Sequence, residues 1–104
     1  MPETIEDWTG REITTVRSKG GVVVASAGNS GAYRSDAANS AMITVAATDS
    51  SDKRASWSAY GPIVDVAAPG VSIKTTMRGG GYGSVSGTSF SSPLTAGVVA
   101  LMLS

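Results

Sequence analysis

Histidine and cysteine are both missing from this 104-residue sequence, and the two absences remove whole classes of chemistry. Without cysteine there is no disulfide framework, no thiol nucleophile and no thiolate zinc site. Without histidine there is no imidazole base and no imidazole metal ligand. An enzyme that needs a histidine must take it from elsewhere. Charge is scarce too: 8 Lys plus Arg stand against 8 Asp plus Glu, 15% of the chain and net zero at pH 7, below the roughly 25% of average soluble domains. No basic face is large enough to argue for nucleic acid or an anionic membrane as partner. No run reaches 18 apolar residues, and residues 1–10 hold Glu3, Glu6 and Asp7 where a signal peptide would be basic and then apolar. A soluble chain without a leader is the expectation. The lack of cysteine leaves the compartment open, because secreted proteins with adequate cores do without disulfides.

What is present is an ordinary 41% of hydrophobic residues and 13 glycines. A chain of this length makes one small domain or a piece of a larger one, so 1–104 is read as a single unit. Ile5, Trp8, Ile13 and Val16 recur at helical spacings and predict helix within 2–19, ended by Gly20 and Gly21. The apolar run 22–25 reads as a strand buried on both faces, as in a parallel sheet, and 42–47, 63–67 and 71–77 are further strands. Residues 78–83 form a glycine-rich turn, with no phosphate-cradling motif. Helix alternating with buried strands predicts an α/β fold, and the loop from Gly28 lies at the carboxyl end of a strand, where such folds place their chemistry.

Residues 96–103 contain no polar side chain, so a helix there is expected to be buried on every side. Its start lies close to Ser89. Upstream Ser and Thr can cap the first turn, and Pro93 is tolerated because its missing N–H would have no intrahelical partner. Ala96, Gly97 and Ala100 give a small-residue face for close packing. A hydroxyl at Ser89 would lie in the positive end of the helix dipole, beside backbone N–H groups able to stabilise a negative oxygen. Simple capping by Ser89 is the plainer alternative, and Asn29 within Gly28-Asn29-Ser30-Gly31 reads equally as a turn residue.

Gly87-Thr88-Ser89-x-x-Ser92-Pro93 followed by Ala96-Gly97 resembles the nucleophile segment of subtilisin-like serine proteases, the subtilases. Three more segments agree in order: 22–31 resembles the oxyanion asparagine region, 43–49 the strand after it, and 55–70 the run leading to the nucleophile. The resemblance covers roughly 18–104, the C-terminal part of a catalytic domain. It implies a three-layer fold with a mainly parallel sheet flanked by helices. It also implies that Ser89 attacks the peptide carbonyl, and that Asn29 with the Ser89 N–H holds the oxyanion. Ser26, Ala27 and Gly28 would wall the pocket for the side chain preceding the cleaved bond, while Gly87 and Thr88 hold the turn open.

The departures matter as much. The family's catalytic Asp and His lie upstream of the asparagine segment, and neither motif occurs in 1–19. The resemblance therefore implies a partner, either the N-terminal part of the catalytic domain or another chain, that supplies both, and a chain that is inactive alone. Leu94 stands where the family usually has a second His that is not the base. Asp36, Asp49, Asp52 and Asp65 match no catalytic motif and read as solvated or turn-forming acids. Lys19, Lys53 and Lys74 lie in polar stretches that do not suit a neutral lysine base. The related sedolisins share Ser86 to Pro93 but carry Asp at the oxyanion position, where this chain has Asn29. Calcium and secretion are associations of the family only. The alternative is a non-catalytic remnant that binds peptide or associates with itself.

Overall fold

The computed structural model of the chain describes residues 18–37 and 42–104. The helix expected within 2–19 lies outside the described residues except for its last two positions. Three strands, β1 (Val23–Ser26), β2 (Met42–Thr48) and β3 (Val66–Pro69), form a parallel sheet in the order β1-β2-β3. Val23 pairs with Met42 and Ser26 with Val45, and Val45 in turn pairs with Val66 and Thr48 with Pro69. β2 is the central strand and the most deeply buried. Its run of alanine, valine and threonine has no charge to solvate, as expected of a parallel strand covered on both faces.

The third strand begins later than the apolar pattern suggests. Gly61-Pro62 turns the chain first, with the Val64 N–H donating to Gly61 O, so Ile63 is buried in a turn and not in a strand. Asp65 is exposed, as a solvated acid should be, and has a structural task besides. Its Oδ2 accepts from the Thr44 N–H at 2.9 Å while its own N–H donates to Thr44 O, which fixes the entry of β3 beside β2.

The glycine-rich turn is the tip of an antiparallel hairpin of β4 (Ile73–Thr76) and β5 (Tyr82–Val85), in which Ile73 pairs with Val85 and Thr76 with Tyr82. β5 has no counterpart in the sequence reading. Its four residues, Tyr-Gly-Ser-Val, offer two apolar side chains and a glycine, too little to stand out beside Gly79-Gly80-Gly81.

Helix α1 (Thr88–Leu103) lies across all three parallel strands. Its sheet-facing stripe is small and largely polar: Thr88 and Ser91 are buried, and Ser92, Thr95 and Val99 half-buried. The large apolar residues point the other way. Leu94, Val98, Leu101, Met102 and Leu103 are exposed, Leu101 and Met102 to 76% and 79%, which corrects the expectation of burial on every side. A helix apolar all round needs cover on all sides, and the described residues supply one. Ala96, Gly97 and Ala100 are likewise exposed, and a Cβ on Gly97 would meet nothing within 4 Å. No described helix is long and apolar enough to cross a membrane.

Candidate active site

The turn after β1 and the start of α1, 59 residues apart in sequence, are stitched together by one threonine. Thr88, 1% exposed, accepts at Oγ1 from the Gly28 N–H (3.1 Å) and donates that hydroxyl proton to Asn29 Oδ1 (2.9 Å). The Thr88 N–H donates to the same oxygen at 2.9 Å. The cap of α1 is thus Asn29, from a distant segment. No upstream Ser or Thr side chain caps it, because Gly87 occupies the N-cap position. Two donors converging on one amide oxygen also settle which way the carboxamide points: Oδ1 toward Thr88, Nδ2 away from it.

Nδ2 turns toward the space above Gly87. That residue has φ 153°, a backbone conformation that side chains disfavour. A Cβ placed there would lie 3.2 Å from Ser89 Oγ and 3.6 Å from Asn29 Nδ2. The hydroxyl and the amide donor therefore flank one small volume, kept open because residue 87 has no side chain. Ser89 and Asn29 are exposed, so a ligand can reach both. The Ser89 N–H, in the first turn of α1, has no intrahelical acceptor and lies at the positive end of the helix.

The surroundings hold this arrangement rigid. Gly70 follows β3 and donates its N–H to Thr48 O. A Cβ on it would strike Ser91 Oγ and lie 2.7 Å from Ala47 Cβ, so only glycine lets α1 approach the sheet this closely. Ser91, fully buried, donates to Pro69 O at 3.2 Å. Nothing in the sequence pointed to this anchor: Gly70 closes the run 55–70, and Ser91 stands at an unspecified position of the nucleophile motif. Ser26 sits half-buried at the end of β1, and the Ala27 side chain packs into the core with Ala46 and Ala59 while its N–H donates to Val45 O at 2.8 Å. The Ala59 N–H donates to Gly28 O at 2.9 Å, and Arg34 Nη1 donates to Ala27 O at 3.1 Å. The same guanidinium hydrogen-bonds Asp36 and holds its carboxyl below the usual carboxylate range.

A base for Ser89 is not found among the described residues. Lys19, Lys53 and Lys74 are all exposed, and Lys74 lies over the Tyr82 ring, so none has the desolvation that a neutral lysine requires. No three His, Cys, Asp or Glu side chains gather among the described residues. Asp49 Oδ1 already accepts from the Ser51 and Lys53 N–H groups, and Asp65 and Asp36 are engaged as described.

The chain belongs to the subtilase family, which it matches over residues 3–104. It is 49% identical to thermitase of Thermoactinomyces vulgaris, with 84% of this chain and 32% of that protein covered. With subtilisin E of Bacillus subtilis strain 168 the identity is 47%, covering 84% of this chain and 24% of the relative. Among solved structures, the self-cleaved protease domain of PatA superposes with a TM-score of 0.80 at 34% identity, covering 91% of this chain and 38% of that one. A protease of Pseudoalteromonas arctica gives 0.77 at 35%, covering 89% and 33%. The chain thus spans between a quarter and a third of the length of these curated relatives.

Proposed function

We propose that this chain carries the nucleophile and oxyanion hole of a subtilisin-like serine endopeptidase. Ser89 Oγ attacks the carbonyl carbon of a peptide while its proton passes to a histidine. The carbonyl oxygen, now negative, is held by Asn29 Nδ2 and the Ser89 N–H; on collapse the histidine returns the proton to the leaving amine, and water then hydrolyses the acyl-enzyme. Ser26, Ala27, Gly28, Gly87 and Thr88 flank the bound peptide. The histidine, and the aspartate that orients it, come from the N-terminal part of the catalytic domain or from a partner chain.

The observation that carries this reading is the meeting of Ser89 Oγ and Asn29 Nδ2 over Gly87. Without its base the chain is close to inert: loss of the serine or the histidine of subtilisin, itself a member of this family, costs about 10⁶ in turnover, a value taken from that relative. A second reading, a non-catalytic module that self-associates, draws on the exposed apolar side of α1. A serine-directed fluorophosphonate separates the two. Labelling of Ser89 only when the region supplying His and Asp is added supports the protease; no labelling in either case defeats it and leaves the module.

A further inference from the structure

Arg34 lies behind the segment that leads to Asn29, and no step of the proposed acyl transfer uses it. Its Nη1 donates to the Ala27 carbonyl, on the same peptide unit whose N–H, that of Gly28, donates to Thr88 Oγ1. The guanidinium and the oxyanion threonine thus grip opposite edges of one peptide plane. One peptide unit and a hydrogen bond on either side separate them, which puts the cation roughly 10 Å from the Asn29 amide. The loop that carries it is fixed, because the Arg34 N–H donates to Tyr60 O at 2.7 Å. Tyr60 in turn bears a second cation, Arg54, whose guanidinium sits 4.4 Å over its ring.

Arg34 has a counterion, but a weakly held one. Nε and Nη2 reach the two Asp36 oxygens at 3.3 and 3.4 Å, long for bonds that run 2.7–2.9 Å when charge-assisted and well formed. The Asp36 side chain is 53% exposed against 26% for Arg34. A guanidinium has five N–H groups. Three are engaged here, leaving one on each Nη without an acceptor among the described residues.

Resting on the proposed function, we propose that Arg34 is a specificity-determining residue: it receives the carboxylate of a glutamate whose own carbonyl is attacked by Ser89. That residue's carbonyl lies between Ser89 and Asn29, so its side chain leaves from beside 26–28, the segment that Arg34 backs. An extended glutamate side chain, with a hydrogen bond at either end, covers a distance of that order. Partial burial of the cation favours an anion as its partner, and Asp36 competes for that place.

The test uses the chain assembled with the region that supplies His and Asp. Peptidyl phosphonates with a Glu or an isosteric Gln side chain at the reacting position label Ser89, and the ratio of their rates is read. The wild type favours Glu by about tenfold or more, as expected of a hydrogen bond between charged groups. Arg34→Gln abolishes the ratio, Arg34→Lys keeps its direction, and Asp36→Asn raises it. An unchanged ratio in Arg34→Gln overturns the assignment. If that variant fails to label even with a plain fluorophosphonate, Asp36→Asn decides: a raised ratio supports the assignment and an unchanged one overturns it. Failure of the wild type to label with the plain reagent defeats the protease reading itself, whereas equal Glu and Gln rates defeat only the preference.

Discussion

Thr88→Val removes one hydroxyl and little else, and two separable effects follow. The Gly28 N–H loses its acceptor inside the turn, which costs about 1–3 kcal/mol of stability if no water replaces it. Asn29 Oδ1 keeps the Thr88 N–H and loses the hydroxyl donor. With one of two orienting bonds gone, the carboxamide is free to turn its Nδ2 away from the oxyanion for part of the time. A net bond of about 1 kcal/mol corresponds to about a fivefold loss of turnover. That is well below the 10²–10³ lost when the equivalent donor is removed from subtilisin, a figure belonging to that relative. Urea denaturation reads the first effect, and peptide hydrolysis by the assembled enzyme reads the second. The decisive measurement is a double-mutant cycle with Asn29→Ala. If Thr88 acts through Asn29, Thr88→Val costs no further turnover once the amide is gone. Full additivity of the two losses would refute the coupling, and Thr88→Ser retaining wild-type turnover should accompany a positive result.

Gly87→Ala places a methyl group between Ser89 Oγ and Asn29 Nδ2 in a backbone conformation alanine resists. Fluorophosphonate labelling of the assembled enzyme should fall at least as far as in Asn29→Ala, and normal labelling would contradict the site geometry. Gly70→Ala drives a methyl into Ala47 and Ser91, an overpacking that lowers stability by about 1–3 kcal/mol or more; an unshifted denaturation midpoint would show that α1 sits farther from the sheet. Leu101→Lys with Met102→Lys should reduce self-association of the isolated chain in sedimentation, and association unchanged by both would place the contact elsewhere. The Asp36 carboxyl, held low by Arg34, contributes stability that is present above its ordinary pKa near 3.8 and lost as pH falls through the lowered value. The difference between wild type and Asp36→Asn should therefore be constant at neutral pH, close in acid and shrink with salt; a difference that grows in acid would reverse the sign.

The pattern of apolar runs made β1, β2 and the parallel arrangement legible, because a strand covered on both faces leaves an uninterrupted hydrophobic signature. The residues of the site were legible through motif alone: Ser89 and Asn29 each have an ordinary local explanation, and only their order along the chain set them apart. What holds them in place was hidden. The Thr88 bridge, the Gly70 approach and the Asp65 clamp each depend on a partner at least 20 residues away or on the absence of a side chain, and no local pattern encodes either. The orientation of α1 was misjudged for a related reason. Hydrophobicity says that a surface wants cover, but not which molecule provides it.

The stitching of residue 29 to residue 88 also sets when the candidate site can assemble. During synthesis the asparagine is translated long before the serine exists, and the sheet between them must pair before the two can meet. Closures of that span are slow to form. The candidate site therefore takes shape only after β1, β2 and β3 have paired and residue 88 has been added, and a shorter chain has no such site.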